Sequence, residues 1–426
     1  MFSDRTNWRL AQNRFTQALE EVRARGVRIL DLSASNPTRV GLHYDSEVIL
    51  RALRSEQALD YDPQAKGLLS AREAVARYYC ERSSRSTRDV ASNVSTTPTK
   101  VDPERIILTT STSEGYSFVF RLLCNAGDEL LVPKPSYPLF EFLADLQDVK
   151  LVPYPLIYDH GWQIDFHSLE RAVTARTHAV VLVNPNNPTG SYVHVSETSP
   201  LNEFCRTNRL ALIVDEVFLD YVLGDPGPGT SAGELRSTRQ PGATVPTYFS
   251  SAPSFVSNHE VLTFTLSGLS KISALPQMKV AWIVASGPDD QVAAAMARLE
   301  VIADTYLSMN APVQWAVPEM LQLRKGIQEQ LLSRVQTNLA ELDRQLADQQ
   351  TCQRLMVEGG WYAVLRIPVT QSDEELAIEL VQQKSVLVHP GHFYDFPRDG
   401  YLVLSLITPE PDFSDGVQRL LAHLRS

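Results

Sequence analysis

The sequence predicts an α/β protein on a parallel or mostly parallel sheet, and three observations carry that prediction. From Arg105 onward, short apolar runs alternate with helical stretches, as expected of strands covered on both faces and joined by crossover helices. Residues 105–108, 129–132, 151–152, 179–183 and 210–214 have the composition of such buried strands. Three runs also end directly in polar loops: Thr109-Thr110-Ser111-Thr112, Asn184-Pro185-Asn186-Asn187 and Asp215-Glu216. Ligands bind at the carboxyl ends of strands in open α/β sheets, so these loops are where chemistry is expected.

The rest of the chain reads as follows. Residues 8–25 space their apolar side chains as an amphipathic helix that Gly26 ends, and residues 27–30 form a short strand. Asn36-Pro37-Thr38 makes a turn, residues 69–79 a helix, and residues 82–100 a polar Ser/Thr-rich loop. Residues 224–257, rich in Pro, Gly, Ser and Thr, form a long surface excursion. Beyond Met296 the chain turns helical, notably over 328–349. Strands at 361–365 and 401–404 then suggest a separate α+β unit.

A chain of 426 residues is too long for one small core and suits two domains. Its 43% hydrophobic and 21% charged residues are typical of a soluble protein, with no apolar run of membrane-spanning length. The polar opening MFSDRTNWRL is not a secretory signal. Cys80, Cys124, Cys205 and Cys352 lack metal-ligand spacing and read as structural thiols of a cytoplasmic protein. A net charge of −11 argues against nucleic acid or an anionic membrane as main partner, but leaves room for an anionic cofactor.

Lys271 follows the strand-like run 261–266 in Ser267-Gly268-Leu269-Ser270-Lys271. Alone, such a lysine is more often a solvated surface residue. Behind a buried strand its amine can be desolvated, which lowers its pKa toward the range of a Schiff-base lysine. Asp215 ends a strand, and its bland reading is a turn carboxylate. Its functional reading is the buried carboxylate that keeps a pyridine nitrogen protonated. Asn187 is a candidate turn residue, yet three asparagines, two prolines and a glycine crowd directly behind one strand.

The ordered set Asn187-Pro188-Thr189-Gly190, Asp215-Glu216 and Ser270-Lys271 resembles the signature of class I/II aminotransferases. Tyr61-Asp62-Pro63 with Lys66-Gly67, Pro135-Ser136-Tyr137-Pro138, Gly359-Gly360-Trp361-Tyr362 and Pro390-Gly391 extend the resemblance over most of the chain. It implies a fold type I transferase dependent on pyridoxal 5′-phosphate (PLP). A large domain at 56–296 would hold a mostly parallel, seven-stranded type of sheet, and a smaller α+β domain would form from 1–55 and 297–426. Lys271 would carry the cofactor and shuttle a proton. Asp215 would pair with the ring nitrogen, Asn187 would bond the phenolic oxygen, and Tyr137 would stack on the ring. Ser111, Thr112, Ser113, Ser270 and Lys279 would hold the phosphate, with Tyr61 reaching it from a neighbouring subunit in a homodimer. The partners implied are a small-molecule amino donor and an oxo-acid acceptor.

Four departures from the family pattern stand out. Ser111 replaces a glycine, restricting the backbone and offering its hydroxyl to the phosphate. Lys279 replaces an arginine, keeping the charge and losing the fork. Phe218 replaces a tyrosine that bonds the phenolic oxygen, leaving Asn187 alone or with another donor such as Tyr221. Val403 aligns with the arginine that clamps a substrate's α-carboxylate; Arg398 sits on the preceding turn, and Arg39 is the nearest other candidate. These features imply an aminotransferase with atypical carboxylate recognition. A PLP-dependent lyase or decarboxylase of the same fold and a non-catalytic cofactor-binding homologue are the rivals. A nicotinamide enzyme is disfavoured by the lack of GxGxxG between an early strand and helix.

Overall fold

Apolar runs without alternation must be covered on both faces, and the main sheet is built that way. The computed structural model describes residues 1–8, 10–89, 100–138, 140–224, 253–307 and 309–425. Its largest sheet has eight strands: β1 (Ile106–Thr109), β2 (Glu129–Lys134), β3 (Lys150–Tyr158), β4 (Trp162–Ile164), β5 (Thr177–Val183), β6 (Ala211–Asp215), β7 (Thr263–Gly268) and β8 (Ala281–Ser286). Their spatial order is β1-β8-β7-β6-β5-β2-β3-β4. The run β7-β6-β5-β2-β3 is parallel, while β8 and the edge strand β4 run antiparallel to their neighbours. The sequence implied seven strands, and β4, three residues long, is the eighth. Along β6, Leu212 and Val214 join one apolar cluster, while Ala211 and Ile213 join the cluster on the opposite face.

A second, four-stranded sheet is assembled late in the chain from β9 (Gln353–Arg354), β10 (Tyr362–Arg366), β11 (His389–Pro390) and β12 (Tyr401–Ser405), in the order β9-β10-β12-β11. Its core joins both chain ends, since Phe15, Val22 and Leu32 pack in one cluster with Leu331, Leu365, Leu404 and Leu420. A short parallel pair, Leu30–Asp31 with Val386–Leu387, stitches them together.

Some boundaries differ from the sequence reading. The first long helix is Arg14–Ala24 and not 8–25, because the Asn13 side chain caps it by accepting from Thr16 N. Trp8 lies outside, donating from Nε1 to Asp145 at 2.8 Å. The helix expected at 69–79 runs on as Leu69–Asp89, there being no Gly or Pro in that stretch to stop it. Residues 90–99 of the expected polar loop lie outside the described residues, as do 225–252 of the expected excursion.

One glycine fixes the loop after β5. Gly190 has φ +71°, and its amide closes the loop on Asn186 O at 2.8 Å. A Cβ there would run into Val357 and lie 2.5 Å from Gly359 O. Left-handed backbone at a non-glycine residue costs about 1–3 kcal/mol before that clash is added. Gly190→Ala is therefore expected to lower the thermal unfolding midpoint measurably, and an unchanged midpoint by calorimetry would contradict this packing.

Candidate active site

Strand pairing sets the geometry of the site. Across the sheet, Val183 of β5 pairs with Asp215 of β6, and Asp215 pairs with Leu266 of β7. Two residues on, Gly268 pairs with Ala281 of β8, which pairs with Thr109 of β1. The loops beginning at Asn184, Glu216, Leu269 and Thr110, and the turn ending at Lys279, therefore open on one edge.

Asp215 is held by two donors. Val217 N reaches Oδ1 at 3.0 Å, and the Tyr116 hydroxyl reaches Oδ2 at 3.2 Å. Burial pushes its pKa up to about 6, while the Val217 amide, Tyr116 and the Lys271 charge pull it back down. Lys271 lies on α2 (Leu269–Ile272), counting Thr112–Leu123 as α1. Its Nζ sits 4.8 Å from the centre of the Trp361 ring and 5.5 Å from that of Phe218. Among the described residues, its Nζ donates one hydrogen bond, to Ser35 O at 3.4 Å. Burial pulls the amine down to about 8, against the opposing pull of the Asp215 charge. The two charges act on each other, and their surroundings bring both groups toward neutral pH.

The three asparagines behind β5 divide their work. Asn184 Oδ1 accepts from Val193 N at 3.0 Å, and Asn186 Oδ1 accepts from the Thr189 hydroxyl at 2.9 Å. Both bonds fold the loop on itself. Asn187 is buried, and its Oδ1 has no partner among the described residues. Tyr137 is 44% exposed, and its phenol is close enough to feel the Asp215 charge, which adds to burial in raising its pKa.

The start of α1 faces the same edge. Ser111 caps the helix, its Oγ accepting from Glu114 N at 3.1 Å, and Glu114 Oε2 accepts from Thr110 N at 2.6 Å. The amides and hydroxyls of Thr112 and Ser113 make no hydrogen bond among the described residues, the open donor pattern that suits an anion. Leu269 N bonds Val280 O at 3.0 Å, which brings Ser270 and the exposed Lys279 to the same corner.

A family model described as "Aminotransferase class I and II" matches residues 27–410. The chain belongs to that family. It is 29% identical over 391 residues to the glutamate-pyruvate aminotransferase AlaA of Haemophilus influenzae, covering 89% of this chain and 87% of that protein. It is 27% identical over 415 residues to an alanine aminotransferase of Mycobacterium tuberculosis, covering 95% and 87%. Among solved structures, an Escherichia coli aminotransferase superposes with TM-score 0.78 at 23% identity, covering 100% of this chain and 98% of that one. The Pyrococcus furiosus alanine aminotransferase gives 0.80 at 18% identity, covering both chains fully.

Two sequence expectations for this aminotransferase are corrected. Ser111 is not backbone-restricted: its φ of −163° is extended backbone open to any residue, and its hydroxyl already serves as the helix cap. Tyr221 is not a spare donor, because its hydroxyl donates to Lys271 O at 2.6 Å. Tyr61 is 83% exposed. Sequence reasoning missed Tyr116, although its place four residues after Thr112 sets it on the same helix face. It also missed Trp361 as a ring beside the lysine.

The raised Asp215 pKa has a stability consequence with a definite sign. A carboxyl whose folded pKa lies above its unfolded value favours folding less and less as pH rises from about 4 through about 6. Asparagine at 215 can still accept from Val217 N through Oδ1, while its Nδ2 can donate to the Tyr116 hydroxyl oxygen. Cofactor-free Asp215→Asn should thus melt no lower than the parent at pH 7.5, with any advantage fading toward pH 4. Melts showing the variant well below the parent at pH 7.5 would mean the carboxylate is a structural anchor.

Proposed function

We propose that this aminotransferase works with PLP held through Lys271, and transfers an amino group between an amino compound and a 2-oxo acid with atypical carboxylate recognition. The observation that carries this reading is the convergence of a lysine and a half-buried carboxylate, both shifted toward neutral pH, with a buried amide whose oxygen has no partner among the described residues, on adjacent strand ends. The residues fit such a cofactor. Asp215 would face the ring nitrogen, Asn187 the phenolic oxygen and Tyr137 the ring. Ser111, Thr112, Ser113, Ser270 and Lys279 would surround the phosphate, where the free amides of Thr112 and Ser113 supply donors whatever the Ser111 hydroxyl does.

When bound, the cofactor supplies an electron sink and a carrier for the amino group. The chain's own work is proton management. Lys271, neutral above about pH 8, can take the proton from the substrate's Cα once its amine is released. Asp215, ionised above about pH 6, holds the proton on the ring nitrogen, with Tyr116 and Val217 N fixing its two oxygens. Phe218 and Trp361 set apolar ring faces beside the lysine.

Atypical carboxylate recognition rests on β12. Val403 is 1% exposed, paired with Val364 on one side and His389 on the other. Burial lowers the His389 pKa, so its ring is neutral at pH 7 and offers no cation there. The exposed Arg39 guanidinium, by contrast, has no partner among the described residues. We take Arg39 as the replacement anchor for carboxylates that do bind. The names of the curated relatives support alanine, glutamate and pyruvate as compounds to test. The large domain at 56–296, the small domain from 1–55 and 297–426, a homodimer sharing sites through the exposed Tyr61, and a cytoplasmic location complete the proposal. The helix Ala311–Gln322 would brace the large unit, since it packs on Leu69–Asp89.

The test is a spectral panel on purified holoenzyme, following the loss of the lysine-bound cofactor band on adding each donor. Alanine, glutamate and aspartate should convert it poorly compared with amines and carboxylate-modified amino acids. Arg39→Ala should weaken carboxylate-bearing compounds selectively. Replacing Val403 by arginine is a poorer probe, as it would bury a charge in the core. Robust conversion by common amino acids, indifferent to Arg39→Ala, would refute the carboxylate reading.

A further inference from the structure

The helix that carries Lys271 is four residues long, and its own backbone bonds leave some of its carbonyls unmet. Ile272 O and Ala274 O accept no backbone hydrogen bond among the described residues, and Lys271 O receives a 3.2 Å contact from Ala274 N. Ser273 N and Leu275 N close on Leu269 O at 3.2 and 3.0 Å, but so short a turn has no further ladder for its later carbonyls. Side chains from remote segments supply the missing bonds. Tyr221 OH donates to Lys271 O at 2.6 Å, Gln328 Nε2 to Ile272 O at 2.9 Å, and Tyr44 OH to Ala274 O at 2.9 Å.

Gln328 is tied down in turn. Its second Nε2 proton goes to Asp220 Oδ2 at 2.8 Å. Both partners only accept, which fixes the orientation of the amide. Asp220 Oδ1 accepts from Arg82 Nε at 3.0 Å and from Tyr78 OH at 3.1 Å, in a shielded cluster where Arg82 and Asp220 expose about a tenth of their side chains. Such a network is stiff while every member is satisfied, and each lost member leaves an unpaired buried group. Phe218 and Tyr221 stand three residues apart. The first puts an apolar ring beside the lysine, and the second puts its hydroxyl under the lysine's own carbonyl.

We propose that Tyr221 and Gln328 are positioning residues of this aminotransferase, which hold the Lys271 turn against the Asp220–Arg82 cluster so that the amine stays in its dry, ring-lined seat. The proposal rests on the reading of Lys271 as the cofactor's lysine. The clamp touches the backbone of the turn alone and leaves the amine free to react. The titratable and charged groups on the elements around the turn are Asp215 and Glu216 at the end of β6, Asp220 and Tyr221 after it, Arg82, Tyr78 and Tyr44. Of these, Asp215 is the one whose charge acts on Lys271.

The test follows the rate at which cofactor-free protein takes up added PLP, as a function of pH, since a neutral amine is needed for the carbonyl to react. The parent rate should rise through about pH 8. A parent rate with no such midpoint would count against the Lys271 assignment and not against the clamp. In Tyr221→Phe and Gln328→Leu, a loosened turn lets water reach the amine and relieves its burial. The midpoint should then move upward by about half a unit or more. The holoenzyme kcat should fall roughly tenfold or more with KM for the donor little changed, as expected of a misplaced reacting group. A merely structural contribution would lower the melting temperature and leave the midpoint in place. Tyr221→Phe keeps the ring's edge contact with Trp361, so it remains informative even where Gln328→Leu folds poorly. Midpoint and kcat both at parent values in Tyr221→Phe would overturn the proposal.

Discussion

The parallel register of β5, β6 and β7 is the constraint on which the rest depends. Because Val183, Asp215 and Leu266 stand side by side, the three loops that follow must open on one edge, whatever their sequences. Antiparallel β8 extends the row by returning its first residue, Ala281, between Gly268 and Thr109. That one crossing sets the turn ending at Lys279 on the same edge as the start of α1. A slip of two residues in β6 would carry Asp215 about 7 Å along the strand, out of reach of Tyr116 and Lys271.

Burial is the second theme, and it acts on opposite charges with opposite sign. The apolar surroundings lower the Lys271 pKa and raise that of Asp215, bringing both toward the neutral range. The neighbouring Glu216 is pushed up to about 7 by the same burial, but the Ser254 hydroxyl and Phe255 N already bond its oxygens. Adjacent acidic residues thus part ways: Glu216 ties the segment before β7 to the sheet, while Asp215 faces the site. The stability lost in drying these groups is the kind commonly concentrated at functional sites.

How much of this was legible in the sequence follows from which interactions leave a local signature. Buried strands read as apolar runs, so β1, β2, β5 and β6 were visible, and so were the polar loops after three of them. The edge strand β4 is too short to carry a pattern. The Asn187 environment was half visible: the crowding of asparagines could be seen, but not that Asn184 and Asn186 are consumed by the loop. The clamp on Lys271 O, Ile272 O and Ala274 O left no trace, because a backbone carbonyl looks the same at every position and its partners lie 50, 56 and 230 residues away. The backbone restriction expected at Ser111 has no consequence for a related reason, since a residue type alone does not reveal its φ.

The account stands or falls on which amine the dry seat between Trp361 and Phe218 belongs to. Borohydride reduction of the PLP-loaded protein followed by peptide mapping tests that most directly. The account predicts a pyridoxyl label on Lys271, lost in Lys271→Ala. A label found instead on Lys279 or Lys66 would contradict it.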